Sequence, residues 1–169
     1  MRSSYSSLVA VLLLAAAPAG AQQKADHAKH HPPTDSAFAA TQRRGQQVMG
    51  VDQYTSSHVF ESLANGGRIV LQRDAEDPAG ETTIRAHLRE IALRFEKGDF
   101  SLPGQVHATE VPGTAVMAKR ARRIRYIYRQ LPRGGEVRIV SRDREAIAAV
   151  HEFLAFQRMD HRAPGHVPD

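Results

Sequence analysis

The sequence contains no cysteine and no tryptophan, and only 6% of its 169 residues are aromatic. Without cysteine, disulfides, thiolate metal centres and lipid attachment through an N-terminal Cys are excluded. Any soft metal ligand must then be a methionine, namely Met49, Met117 or Met159. No Gly-x-Ser-x-Gly or other nucleophile context occurs, and Glu81, Glu90, Asp99 and Asp160 form no recognisable carboxylate pair. No catalytic residue is therefore nominated, and no organic cofactor is indicated.

Long apolar runs are also missing. The stretch Leu8 to Ala17 is far shorter than the roughly 20 residues that span a bilayer. It follows Arg2 and precedes the small residues Ala19-Gly20-Ala21, the pattern of a secretory signal peptide over residues 1–21. Cleavage near Ala21 predicts a periplasmic or secreted protein without a transmembrane anchor. The remaining 148 residues make one ordinary domain, with 22 basic and 18 acidic side chains. That modest positive balance suits an anionic envelope component and does not point to nucleic acid.

Residues 22–47 are polar and lack sustained periodicity, which reads as a flexible lead carrying His27, His30 and His31. The ordered domain is expected over 48–162, followed by a flexible tail at 163–169. Within it, two stretches look like copies of one unit. The first runs from His58 through Gly66-Gly67 and Ile69-Val70-Leu71 to a helical pattern at Ile84, Leu88, Ile91 and Phe95. The second runs from Arg123 through Gly134-Gly135 and Val137-Arg138-Ile139 to Ile147, Val150, His151 and Leu154. Thr82 or Thr83 is the expected cap of the first helix and Asp143 of the second. Asp99 to Met117, with Pro103, Gly104, Pro112 and Gly113, reads as an irregular link.

The expectation is an α+β fold: two strand–strand–helix repeats forming a four-stranded antiparallel sheet, with two helices on one face. Setting Ile84 opposite Ile147 aligns Ile91 with Leu154. It leaves His87 and His151 one residue out of register.

Imidazole is the commonest neutral metal ligand near pH 7, and three or four together suit zinc, copper or nickel. His58, His87, His107 and His151 are the candidate ligands, with Met49 or Met117 as thioether auxiliaries that tilt the preference toward copper. A histidine on an apolar helix face is more often a core residue satisfied by a neighbouring polar group. The basic stretch Lys119, Arg120, Arg122, Arg123, Arg125 and Arg129 is a second candidate feature. Alternation places Tyr126 and Tyr128 on the face opposite Arg123 and Arg125, which argues against a base-stacking platform.

Several fragments, taken in order, resemble a family of small exported bacterial proteins. They are Met49-Gly50-x-Asp52-Gln53 with His58, Arg85-x-His87-Leu88-Arg89-x-Ile91-Ala92, Gly98-Asp99-Phe100-x-x-Pro103, Val106-His107, Val111-Pro112-Gly113 and His151-x-Phe153-Leu154-x-Phe156-Gln157-x-x-Asp160-His161. In that family a His pair precedes the phenylalanine at the first site, whereas Ser57 stands at the first of those positions here. The resemblance implies an exported single domain with important histidines and supplies no activity. The leading reading is an exported metal-binding protein, copper first and zinc second, with a role in metal handling or tolerance. The alternative is a non-catalytic domain that binds an anionic envelope component or a partner protein through its arginine-rich face.

Overall fold

Alternating side chains, with Ala64-Asn65 at the turn and Gly66-Gly67 just after it, make Ser56–Leu63 (β1) and Gly66–Arg73 (β2) an antiparallel hairpin. Gly66 has φ +136°, and a Cβ there would fall 2.2 Å from the Ile139 carbonyl oxygen. Only glycine fits that turn. The computed structural model describes residues 36–50 and 52–163. The expected signal peptide, the His27 cluster and nearly all of the expected C-terminal tail lie outside them.

A second hairpin pairs Ile124–Leu131 (β3) with Gly134–Ser141 (β4), and the two hairpins join through β2 and β4. The result is an α+β fold with a four-stranded antiparallel sheet in the order β1-β2-β4-β3. Helices α2 (Pro78–Glu96) and α5 (Arg144–Asp160) pack against the same sheet face. The other face carries an ionic ladder, with Arg68 bound to Glu61 and lying 3.8 Å from Glu136, itself 3.7 Å from Arg129.

Each helix lies mainly on the hairpin of the other repeat, α2 over β3–β4 and α5 over β1–β2. Two glycines make room for this crossing. A Cβ on Gly67 would lie 2.2 Å from Leu154 Cδ1, and one on Gly135 would lie 3.2 Å from Leu88 Cδ1. Side chains then tie each helix to its hairpin. Arg85 donates to the carbonyls of Leu131 and Gly134, Arg158 donates to that of Phe60, and His151 bonds that of Leu63.

This geometry corrects the repeat alignment. The hairpins are offset by 68 residues, Gly66 to Gly134, but the helices by 66, Pro78 to Arg144. The reason is the link before each helix, Asp74 to Asp77 in one case and only Arg142-Asp143 in the other. Both helices are capped by aspartate, Asp77 accepting from Gly80 N–H and Asp143 from Ala146 N–H. Thr82 and Thr83 instead sit inside the first helix, bonded back to the carbonyls of Pro78 and Ala79. At the true offset Leu88 matches Leu154, His87 matches Phe153, and His151 matches Arg85.

Two segments are more ordered than their composition indicates. Ser36–Met49, inside the stretch expected to be flexible, is helix α1. It buries Phe38, Thr41, Gln42, Gly45 and Met49, a helical stripe in which polar residues disguise the period. The Gln53 amide lies over Gly45 and donates to the Gln42 carbonyl at 3.2 Å. The link expected to be irregular holds two short helices, α3 (Ser101–His107) and α4 (Thr114–Lys119). Helix α1 packs against α3 and closes one side of the core. Among the described residues, no helix is long and apolar enough to cross a membrane.

Candidate imidazole pocket

A cavity of about 70 Å³ lies between α1, α2, α3, the inner face of β1–β2 and the end of α5. Four histidines line it: His58 from β1, His87 from α2, His107 from the end of α3, and His161 just beyond α5. Met49, Gln53 and Gln157 join them, and the rest of the wall is apolar, including Phe60, Leu88, Phe95 and Phe153.

Each imidazole is held differently. His58 and His161 stack with centroids 5.4 Å apart and planes 12° from parallel, and Phe60 also stacks on His161 at 5.4 Å. His107 meets His161 edge-on at 5.1 Å. His107 Nδ1 lies 2.5 Å from Asp160 Oδ2, and its Nε2 lies 3.0 Å from Gln157 Oε1. Both partner atoms are acceptors, so the ring donates Nδ1–H to the carboxylate or Nε2–H to the Gln157 amide oxygen. A carboxylate behind an imidazole fixes its tautomer and raises the basicity of the other nitrogen.

His58 and His161 lack such partners. His58 Nε2 and His161 Nδ1 are shut off from solvent and have no hydrogen-bond partner. A buried polar atom left unpaired has a desolvation cost of ~1–3 kcal/mol. Burial is also the main influence on their protonation. It pushes His58 down to about 4, lowers His87, and takes His161 well below the ordinary histidine value. All three rings are therefore neutral at pH 7, the form that can ligate.

The repeat shows what these positions require for packing alone. At the offsets established above, His58 matches Tyr126 and His161 matches Phe95. Phe95 and Tyr126 pack edge to face in the other half of the core, with centroids 5.6 Å apart. The Tyr126 hydroxyl is also buried without a partner, but neither it nor its ring lines the cavity. Aromatic bulk thus suffices on one side, whereas the other side has two rings with unpartnered buried nitrogens.

Of the residues nominated from the sequence, the pocket brings together Met49, His58, His87 and His107. His151 is elsewhere, with Nε2 3.0 Å from the Leu63 carbonyl oxygen, where it ties α5 to the first hairpin. Met117 is fully buried in the main core and does not line the pocket. His161 is the residue that sequence reasoning missed. The paired aspartate caps carried the signal, because aligning Asp77 with Asp143 places His161 opposite Phe95.

Among the described residues, no group of three or more His, Asp or Glu side chains is set in metal-ligating geometry. The stacked His58 and His161 present faces rather than lone pairs to each other. Bringing their nitrogens to one point requires rotation about the soft terminal torsion of each ring. Comparison of the chain with family models, curated proteins and solved structures returns no match.

Proposed function

We propose that this is an exported metal-binding protein, taking copper first and zinc second, with a role in metal handling or tolerance. The observation that carries the reading is the pair of unpartnered buried nitrogens, His58 Nε2 and His161 Nδ1, on two rings that line one cavity with His87 and Met49. An ion reached by rotation of the two rings would give both nitrogens a partner, as buried polar groups ordinarily have.

His58, His161 and His87 are the ligands in this reading. His107 joins when Gln157 gives way, with Asp160 behind it. Neutral imidazoles with one thioether and no thiolate favour copper in its reduced form, and imidazoles alone suit zinc. The cavity is smaller than the ~150 Å³ that holds a benzene ring, but it exceeds the roughly 10–15 Å³ needed for one water. Its size therefore suits an ion with a water-sized ligand better than an organic cofactor.

The test is competitive titration with Cu(I) and Zn(II) of a protein in which His27, His30 and His31 are alanine. Adding His58→Ala and His161→Ala should weaken binding at least tenfold. Equal affinity with and without these two changes would overturn the pocket reading.

A further inference from the structure

Six cations crowd one end of the sheet. Lys119 ends α4, Arg122 and Arg123 belong to the turn Ala121–Arg123, Arg125 is the second residue of β3, and Arg142 and Arg144 flank the cap of α5. Two contacts bring these segments together. Ser141 Oγ donates to the Arg123 carbonyl at 2.8 Å, and Arg120 binds both Asp143, at 2.7 Å, and Glu145. The acidic groups at this corner are thus already engaged by Arg120. The six cations are all exposed, and none of them forms an ion pair among the described residues.

We propose that this corner docks the protein on an anionic phospholipid surface. The cations project from the ends of elements rather than lining a cleft, an arrangement that suits a flat layer of headgroups. Arginine, five of the six, matches phosphate oxygens in a two-pronged geometry that lysine lacks. Val116 is 38% exposed one turn before Lys119 on α4, so an apolar side chain accompanies the basic group. Nucleic acid fits less well. Tyr126 is buried against Phe95, and Tyr128 lies under the Arg89 guanidinium at 4.5 Å, so neither ring is offered to a base. The inference is independent of the metal reading, because none of the six lines the imidazole pocket.

Each basic residue near an anionic bilayer strengthens binding by roughly fivefold, and salt screens the attraction. The test is co-sedimentation of the full chain with phosphatidylglycerol–phosphatidylcholine vesicles and with pure phosphatidylcholine vesicles. Expected is extra binding to the anionic vesicles, abolished at about 0.5 M salt. Arg122→Glu, Arg123→Glu and Arg125→Glu together should reduce it at least tenfold. If thermal melting shows that this variant is unfolded, Arg142→Glu with Arg144→Glu makes the same test. Equal binding to both vesicle types, unchanged binding of a folded variant, or capture by an anionic polysaccharide but not by vesicles would overturn the proposal.

Discussion

His58 and His161, 103 residues apart in the chain, stack ring on ring with centroids 5.4 Å apart, and each has a buried nitrogen without a partner. Their counterparts in the other half of the molecule, Tyr126 and Phe95, pack edge to face with centroids 5.6 Å apart, and neither ring carries a nitrogen. The contrast separates what the fold needs from what the site adds.

Replacing the imidazoles by their counterparts, His58→Tyr with His161→Phe, should therefore leave the fold intact. Two unpaired buried nitrogens are exchanged for one phenol hydroxyl, so the thermal midpoint should stay level or rise, while metal affinity falls at least tenfold. A melting scan and a metal titration on the same preparation check both halves. Loss of folding would show that the two sides of the core are not interchangeable.

The metal-free protein should lose stability in acid over a defined window. The folded-state value of His58 is about 4, below its ordinary 6.5, and those of His87 and His161 are lowered too. The unfolded chain takes up protons first as pH falls, so stability is full above about pH 6.5. The His58 contribution is lost between there and about 4, and is gone below. For that ring the loss is about 3 kcal/mol at most, because the residue is only half-buried. Chemical denaturation at a series of pH values should show this slope, and His58→Phe should flatten it.

His151 should behave as a structural residue. His151→Ala removes the partner of the Leu63 carbonyl, with an expected destabilisation of about 1–2 kcal/mol and unchanged metal binding. Weakened metal binding in a folded His151→Ala protein would contradict the assignment.

The two methionines nominated together should separate. Met117→Ala opens a hole in the main core, with an expected destabilisation of about 2–5 kcal/mol and no effect on metal affinity. Met49→Ala should weaken Cu(I) binding more than Zn(II) binding, since only the soft ion gains from a thioether. Denaturation curves and paired titrations distinguish the two outcomes.

Adding a methyl at Gly67 tests the helix crossing. Gly67→Ala places a Cβ 2.2 Å from Leu154 Cδ1 and 2.6 Å from the Glu61 carbonyl oxygen. The backbone oxygen cannot move aside cheaply, so a destabilisation of about 1–3 kcal/mol is expected from denaturant unfolding.

Much of the architecture was legible because strand alternation and helical spacing are local signals. Ile69 and Leu71, and Val137 and Ile139, announce their inner face without reference to the rest of the chain. Helix α1 was hidden because Thr41, Gln42 and Gly45 occupy its buried stripe and owe their burial to Gln53 and α3. One of the four pocket histidines was hidden for a similar reason. His161 lies beyond the last apolar position of its helix, and only the folded chain brings it to His58. His151 has the spacing of a core histidine, yet its role is set by a carbonyl 88 residues away.

The crossed placement of α2 and α5 also bears on how the chain comes to be folded. As the protein is synthesised, α2 emerges with its own hairpin but finds its main resting place only when β3 and β4 follow. The contact of Leu88 with Gly135 closes 47 residues of chain, and that of Gly67 with Leu154 closes 87. The entropy of closing such loops must be met before the core rewards it, which places this domain among the slower folders of its size. A single copy of the unit, expressed alone, could cover its helix only by lending it to a second copy, and is expected as an exchanged pair of chains.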